Sequence, residues 1–245
     1  MKKAGVLLAG LAVLVVALYI IGCARPNEEL TNAEAALQSA KEAGAPELAP
    51  AEYQAAEDLI KRAKDLIAQG RNKEARELLE EARFKAIEAK GKAIIAKSES
   101  STTPQEQQAR EQKLEELKQG GGLSKGLDIG LQDVFFDFDK SDIRADARGV
   151  LKEDAEIIKS NPSVLVVIEG YCDTRGTEEY NLALGQRRAD SVKAYLVGLG
   201  VSPSKLEAIS KGETEQWAPG NTEEAYQQNR RAHFIPTSTS PQAIR

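Results

Sequence analysis

The chain has 245 residues, of which 41% are hydrophobic, so it can bury one large core or two small ones. Its formal net charge of -5 argues against a nucleic-acid-binding protein, because such proteins usually present a basic face. Alanine and glutamate are used heavily in the first half, and aromatic residues make up only 5% of the whole. This asymmetry predicts a helical module followed by a domain that mixes helices and strands.

The N-terminal segment has the layout of a secretory signal. A short basic start precedes an apolar run over residues 4–21, and Cys23 follows the run behind one small residue. This ending resembles a bacterial lipobox, which implies cleavage before Cys23 and lipidation of that cysteine. Residues 1–22 are therefore expected to be a lipoprotein signal peptide, and Ala24, in place of Asp, favours the outer membrane. The alternative is an uncleaved membrane helix, since about 18 apolar residues can nearly span a bilayer.

An all-α, Ala-rich module is expected over residues 23–97. Apolar residues recur at helical spacing in two long stripes, over residues 53–67 and 75–93, with a polar break between them at 69–72. A shorter helix over residues 34–42 precedes them, so an antiparallel three-helix bundle is the simplest packing. Alanine side chains bury little area, and the stability of the module should be modest.

The role of this module is left open between two alternatives. Residues 33–53 resemble a small helical domain of unknown role that is found in envelope lipoproteins, and this resemblance implies no binding site. The Ala-rich surface can act as a spacer or can bind a partner helix, and we favour the spacer.

Residues 98–128 are linker-like, with a short charged helix over 105–119, and residues 237–245 are expected to be a disordered tail.

Residues 129–236 are expected to form a second, mixed domain. Its first strand, over residues 132–138, places Val134, Phe136 and Phe138 on one face. The later elements alternate between helices and strands, with strands expected over residues 164–168, 206–210 and 232–235. Such βαβ units predict an α+β class domain, an α/β sandwich with its helices packed on one face of the sheet.

A strand, a polar loop and a helix follow one another between residues 164 and 199. Thr177 is placed to cap the helix, and Arg188 falls on its apolar stripe, one turn after Leu184. A guanidinium on that face needs an anionic partner, because an unpaired buried charge costs several kcal/mol, roughly. The nearest carboxylate by topology is Asp173. The two side chains can form a structural ion pair, or they can receive a ligand that carries both a carboxylate and an ammonium.

The sequence of this junction, E-G-Y-C-D-T-R-G-T-E-E-Y-N-L-A-L-G-Q-R-R-A over residues 169–189, resembles the signature of the OmpA C-terminal-like domain family. It is most similar to the peptidoglycan-associated lipoproteins of the Tol-Pal system within that family. The segment F-F-D-F-D-K-S-D-I, which starts at Phe135, and the closing N-R-R over 229–231 resemble the same family. The resemblance covers about residues 129–236 and implies an OmpA-like α/β sandwich.

The resemblance also implies a ligand and its contacts. In the family, an Asp and the second Arg of the R-R pair clamp the diaminopimelate of the peptidoglycan stem peptide, and these positions are Asp173 and Arg188 here. The carboxylate of Asp173 can accept hydrogen bonds from the ammonium of diaminopimelate. The guanidinium of Arg188 can donate two parallel hydrogen bonds to the free carboxylate of the same diaminopimelate. Tyr171 departs from the family pattern, which often has His at that position.

Other residues near this junction have less certain roles. Thr174 and Asn181 can hydrogen-bond the stem peptide, or they can satisfy loop backbone. Arg230 and Arg231 alternate faces if they open a strand, so only one can point to the site, and the family resemblance favours Arg231. Cys172 is expected to be a small buried side chain without a redox or nucleophilic role.

The function expected from the resemblance is a non-enzymatic tether between the outer membrane and the cell wall, with TolB as a competing partner. No cofactor or metal is expected. One alternative is a wall-binding scaffold outside the Tol-Pal system, including one held by a retained membrane helix. Another is a cell-wall hydrolase, but His233 is the only histidine, and no spacing specifies a catalytic carboxylate pair.

Overall fold

The computed structural model describes residues 25–101, 112 and 127–238. The expected signal peptide, Cys23, most of the expected linker and residues 239–245 lie outside the described residues. Thr237 and Ser238, expected to begin a disordered tail, instead lie in the last strand and pair with Leu165 and Val164, so the tail begins later than expected. The chain divides into two compact units, Met1–Ala89 and Lys90–Arg245. Across the described residues, no helix combines the length and the apolar character that a membrane crossing requires.

The first unit contains helices α1 (Asn27–Ala43), α2 (Ala45–Leu48) and α3 (Pro50–Ala68), and the start of α4 (Asn72–Ser100). The first helix begins earlier than expected, and Pro46 and Pro50 lie within the first turns of α2 and α3. Proline is tolerated there because the N–H that it lacks would have no helical partner. The prolines therefore start new helices rather than only separating them.

The core of the first unit is built from small and branched side chains of α1, α3 and α4. Its buried members are Ala33, Ile60, Ala63, Ala75, Leu79 and Ala82. The expected break between the two long stripes is present, with Gly70 at φ 77 between α3 and α4. A positive φ is accessible to glycine at little steric cost, so the chain can reverse within a few residues.

The second unit contains a four-stranded sheet with the order β1-β4-β2-β3. Its strands are β1 (Val134–Phe135), β2 (Val164–Cys172), β3 (Leu206–Glu213) and β4 (Arg231–Ser238), and its helices are α5 (Ala145–Ser160), α6 (Glu178–Gly198) and α7 (Glu223–Asn229). A 3₁₀ helix, Pro203–Lys205, precedes β3. Strands β2 and β3 are parallel and are connected through α6, whereas β4 pairs antiparallel with both β1 and β2. The expected α+β class is confirmed.

The first strand is shorter than the sequence pattern predicted. Pairing with β4 covers only Val134 and Phe135, and the chain then turns, with Asp139 in the left-handed region at φ 59. Val134 and Phe136 are buried, but Phe138 is 55% exposed. The expectation that Phe138 belongs to the core face is therefore wrong, because the alternation of faces stops where the strand stops.

Helix α6 lies very close to strand β2. A Cβ built on Gly170 would overlap the carbonyl of Gly185. Gly170 lies in the strand and Gly185 in the helix, so neither element has a side chain at the point where they meet. Thr177 caps the N-terminus of α6, as expected, by accepting from the N–H of Tyr180. Together these features fix where the following turn of α6, which carries Arg188, meets the end of β2.

Candidate functional site

A pocket of about 200 Å³ opens where β2 ends and α6 begins. Its walls come from the turn after β1, the loop between β2 and α6, the first turns of α6, and the residue before β4. The lining residues are Phe138, Asp139, Asp173, Arg175, Gly176, Tyr180, Asn181, Leu184, Arg188 and Arg230. Three arginines and two aspartates thus line one small cavity, which suits it to a charged or zwitterionic ligand.

Asp173 lies just after β2 and is only 4% exposed. Its Oδ1 accepts from the backbone N and from Nε of Arg175, both at 3.1 Å, and its Oδ2 accepts from Nη2 of Arg175 at 2.7 Å. Nη1 of Arg230 also donates to Oδ2, at 2.9 Å. Burial raises the pKa of this carboxyl, but the hydrogen bonds from the two arginines outweigh it and lower the pKa. Asp173 is therefore ionised and closely surrounded by cations.

Arg188 reaches the floor of the pocket from α6 and is fully buried. Its guanidinium donates to the backbone carbonyls of Tyr171 at 2.7 Å, Lys140 at 2.9 Å and Asp137 at 3.1 Å. Nη1 also lies 3.3 Å from Sγ of Cys172. Desolvation lowers the pKa of Arg188, although arginine remains charged in proteins. The acceptors around this charge are mostly neutral carbonyls, so the positive charge is not cancelled by a bonded carboxylate.

The structure brings Asp173 and Arg188 to the same pocket but does not pair them. Each has its own set of partners, so the expectation of a direct structural ion pair between them is wrong. The sequence pattern failed here because it counted only carboxylates as partners for a buried guanidinium. The backbone carbonyls of the turn at 137–140 satisfy the donors of Arg188 instead.

The choice between the two arginines at the start of β4 was also wrong. Arg230 lines the pocket and binds Asp173, whereas Arg231 lies on the other face. Nη1 of Arg231 donates to Oδ2 of Asp133 at 2.7 Å, and its guanidinium lies 4.2 Å from the ring centre of Trp217. The alternation rule correctly allowed only one arginine into the site, but it could not tell which one.

Asn181 lines the pocket and is buried, and its Nδ2 donates to Oε2 of Glu213 at 2.9 Å. Its side chain therefore ties α6 to the end of β3. Thr174 is half-buried and is not among the lining residues. Of the two uncertain polar residues, only Asn181 is placed where a ligand in this pocket would meet it.

The rim contains residues that the sequence analysis did not assign. The guanidinium of Arg175 lies 4.1 Å from the ring centres of both Phe138 and Tyr226, and Nη1 lies 3.2 Å from Oε2 of Glu223. The hydroxyl of Tyr180 bonds to Oδ1 of Asp139. One sequence signal was available for Arg175, because an Asp side chain often binds the N–H two residues later in a turn.

Cys172 is buried beside the pocket, as expected. Burial raises the pKa of its thiol to about 11, and Sγ lies 3.4 Å from the carbonyl oxygen of Asn181. The thiol is thus protonated at neutral pH and has little nucleophilic character.

His233 lies away from the pocket lining, with Nδ1 2.7 Å from Oδ1 of Asp133.

Comparisons with known proteins find two family models that match different parts of the chain. A family model described as the OmpA family matches residues 135–230, and one described as a domain of unknown function (DUF4398) matches residues 28–112. The peptidoglycan-associated lipoprotein of Haemophilus influenzae is 48% identical over 113 residues, which are 46% of this chain and 74% of that protein. The protein of the same name from Pseudomonas putida is 48% identical over 115 residues, 46% of this chain and 69% of that protein.

A solved structure is also similar to the second unit. The crystal structure of the peptidoglycan-associated lipoprotein from Burkholderia pseudomallei has 38% sequence identity and a TM-score of 0.43, and the match covers 47% of this chain and 98% of that chain. The OmpA family model spans every residue that lines the pocket. Together with the curated relatives, it confirms the resemblance inferred from residues 169–189.

Proposed function

The chain belongs to the peptidoglycan-associated lipoprotein family, and on that premise we propose that it is a non-enzymatic tether between the outer membrane and the cell wall. In this proposal, residues 129–236 grip the diaminopimelate of peptidoglycan stem peptides. Residues 23–97 act as a helical spacer, and residues 98–128 act as a linker. The observation that carries the proposal is one pocket that contains both Asp173 and Arg188.

The chemistry of the pocket supports diaminopimelate as the ligand. The far end of this residue offers one ammonium and one carboxylate to a binding protein. The buried charge of Arg188 is held by neutral carbonyls, so a ligand carboxylate would supply the anion that it lacks. Asp173 is held ionised by its neighbours and is the carboxylate that the family resemblance assigns to the ammonium. Asn181 is a further candidate contact, whereas Arg231 is replaced by Arg230.

The membrane end of the tether is proposed to be a lipid on Cys23. Cys23 directly follows the apolar run over residues 4–21 and Gly22, the position of the lipidated cysteine in a lipobox. Several acyl chains on one residue give an anchor that does not readily dissociate from a bilayer. The globular unit would then face the periplasm from the inner leaflet of the outer membrane, with the cell wall within its reach.

Co-sedimentation with purified diaminopimelate-type peptidoglycan tests the wall-binding half of this proposal. The full-length protein in detergent should pellet with the wall, whereas Asp173→Asn and Arg188→Gln should stay in solution. Arg187→Gln and Asp58→Asn make the same changes of charge at exposed positions and should pellet like the wild type. Thermal denaturation of each variant establishes that it is folded. Equal pelleting by folded forms of all five proteins would refute the assignment of the pocket.

A partnership with TolB is a second part of the proposal. The pocket rim presents Phe138, 55% exposed, and Tyr180, 45% exposed, and such apolar side chains suit a protein that covers the pocket. TolB should then compete with peptidoglycan for this surface. Envelope crosslinking followed by capture of the full-length protein should recover TolB, and added wall fragments should reduce its yield. If no TolB is recovered, the protein is a wall-binding scaffold outside the Tol-Pal system.

The absence of catalysis is part of the same proposal. Incubation of the full-length protein with purified peptidoglycan should release no soluble fragments beyond a buffer control. Release of fragments that depends on the protein would instead identify a cell-wall hydrolase.

A further inference from the structure

Asp173 has no free acceptor position in this structure. A carboxylate offers about four lone-pair sites, and Asp173 accepts three bonds from Arg175 and one from Arg230. A ligand ammonium needs at least one of these sites. If Asp173 receives the ammonium, as the proposed function requires, one donor must first leave.

Arg230 is poorly suited to leave. Its side chain is only 3% exposed. Besides Asp173, it donates to the carbonyl of Phe136 at 3.1 Å, to Glu223 at 2.8 Å and to Gln227 at 2.6 Å. Moving it would break four bonds and leave its own buried guanidinium without these acceptors, which is costly.

Arg175 differs from Arg230 in exposure and in its alternatives. Its side chain is 34% exposed, and it already contacts a second carboxylate, with Nη1 3.2 Å from Oε2 of Glu223. That carboxylate is itself 60% exposed and can accept further bonds. The rings of Phe138 and Tyr226 lie on the guanidinium and can support it through a small movement. Arg175 can therefore leave Asp173 without losing an anionic partner.

We propose that Arg175 is a displaceable counter-ion, which occupies Asp173 in the free protein and moves to Glu223 when a ligand ammonium binds. The inference rests on the proposed function, because it takes the ligand ammonium to Asp173. The free protein thus keeps its buried carboxylate neutralised, and the ligand replaces one cation by another. No proton is transferred, and Asp173 keeps a cationic partner at every step.

This exchange sets a threshold for binding. Displacement of Arg175 reduces the affinity for every ligand ammonium by the free energy of the contacts that Arg175 makes with Asp173. A stem peptide with lysine in place of diaminopimelate brings the ammonium alone, so this cost weighs against its only charged contact. Diaminopimelate brings a carboxylate as well, whose contact with Arg188 can offset the cost. Arg175 therefore lowers both affinities by the same factor, and the preference for diaminopimelate comes from Arg188.

Calorimetric titration of the full-length protein in detergent tests this proposal. The ligands are a soluble disaccharide-tripeptide with diaminopimelate and the same compound with lysine. Arg175→Gln should bind both more tightly and by the same factor, roughly threefold to tenfold. Arg187→Gln removes the same charge from an exposed position outside the pocket lining and should leave both affinities unchanged.

A loss or no change of affinity in folded Arg175→Gln would overturn the exchange, because Arg175 would then contact the ligand or play no part. In that case, binding that depends on Asp173 and Arg188 would leave the proposed function intact. If the wild type binds neither compound, the proposed function itself fails.

A second measurement does not depend on how well a variant folds. The NMR signal of the Arg175 Nε–H group in the wild type should shift when the diaminopimelate compound saturates the site, because its bond to Oδ1 of Asp173 is lost. A Nε–H signal that stays unchanged at saturation would overturn the proposal.

The role of Glu223 as the second partner of Arg175 is tested by its own variant. Glu223→Gln should weaken binding, whereas the neighbouring exposed Glu224→Gln should not.

Discussion

The carbonyl of Gly185 in α6 occupies the space that a side chain at Gly170 in β2 would need. This contact brings the helix against the strand three residues before Arg188. The guanidinium of Arg188 can then donate to the carbonyl of Tyr171, at 2.7 Å, at the end of the same strand. The two glycines in the signature therefore help to position Arg188 at the end of β2.

Gly170→Ala should lower the free energy of unfolding by about 1–3 kcal/mol or more, because its Cβ would overlap backbone that cannot rotate away. Urea denaturation of the full-length protein measures the change. Gly149→Ala is the matched control, since this helical glycine of α5 is exposed and a Cβ there would have open space around it. That control should gain roughly 0.5–1 kcal/mol from helix propensity. Equal stability of the two variants would show that α6 and β2 do not meet at these glycines.

Asp154 should make the protein less stable as the pH rises. It is fully buried in α5, its Oδ1 accepts from the N–H of Gln132 at 3.2 Å, and its Oδ2 has no hydrogen-bond partner among the described residues. Burial raises the pKa of this carboxyl from 3.8 to about 7, so the folded protein holds a proton that the unfolded chain releases. The stability from this group is present below pH 3.8 and is lost progressively up to about pH 7.

Asp154→Asn removes this loss, because the amide stays neutral. Relative to the wild type, the variant should gain about 1–3 kcal/mol of unfolding free energy between pH 5 and pH 8. Urea denaturation at the two pH values gives this difference, with Asp58→Asn as a control at an exposed helical position. A pH-independent difference between wild type and variant would mean that Asp154 is already ionised in the folded protein at pH 5.

Asp133 should have the opposite pH dependence. It bonds Arg231 and His233, each at 2.7 Å, and although burial raises the pKa of this carboxyl, its hydrogen bonds with these two side chains lower the pKa overall. A depressed pKa stabilises the fold above the ordinary value of 3.8, and this stability is lost as the pH falls through the folded value. Asp133→Asn should therefore cost about 1–3 kcal/mol at pH 7, because Arg231 loses its carboxylate partner.

The cost of Asp133→Asn should shrink as the pH is lowered below 3.8, which thermal melts at a series of pH values can follow. Wall binding should be unaffected, since Asp133 and Arg231 do not line the pocket. Lost co-sedimentation of a folded Asp133→Asn protein would contradict the placement of Arg231 outside the site.

The sequence predicted more of the elements than of the side-chain partners. The stripes of α3 and α4 and the cap at Thr177 follow from local rules that the structure obeys. The partners of Arg188 do not, because backbone carbonyls carry no mark in a sequence and the turn that aims them depends on Asp139 at positive φ. The sequence analysis favoured Arg231 over Arg230, and this choice failed for a related reason. A strand register decides it, and one residue of slip moves every side chain to the opposite face.

Thiol counting tests both cysteines in one experiment. Cys172 is buried and the pKa of its thiol is about 11, so at pH 8 only roughly one molecule in a thousand carries the reactive thiolate. The native full-length protein, purified from membranes in detergent, should therefore react very slowly with a thiol reagent. In urea, one thiol per chain should appear if Cys23 carries a lipid, and Cys172→Ala should reduce the count to zero. Two thiols in urea would show that Cys23 is free and that a different anchor holds the protein at the membrane. Fast labelling of the native protein would instead show that the wall of the pocket opens far enough to expose Cys172.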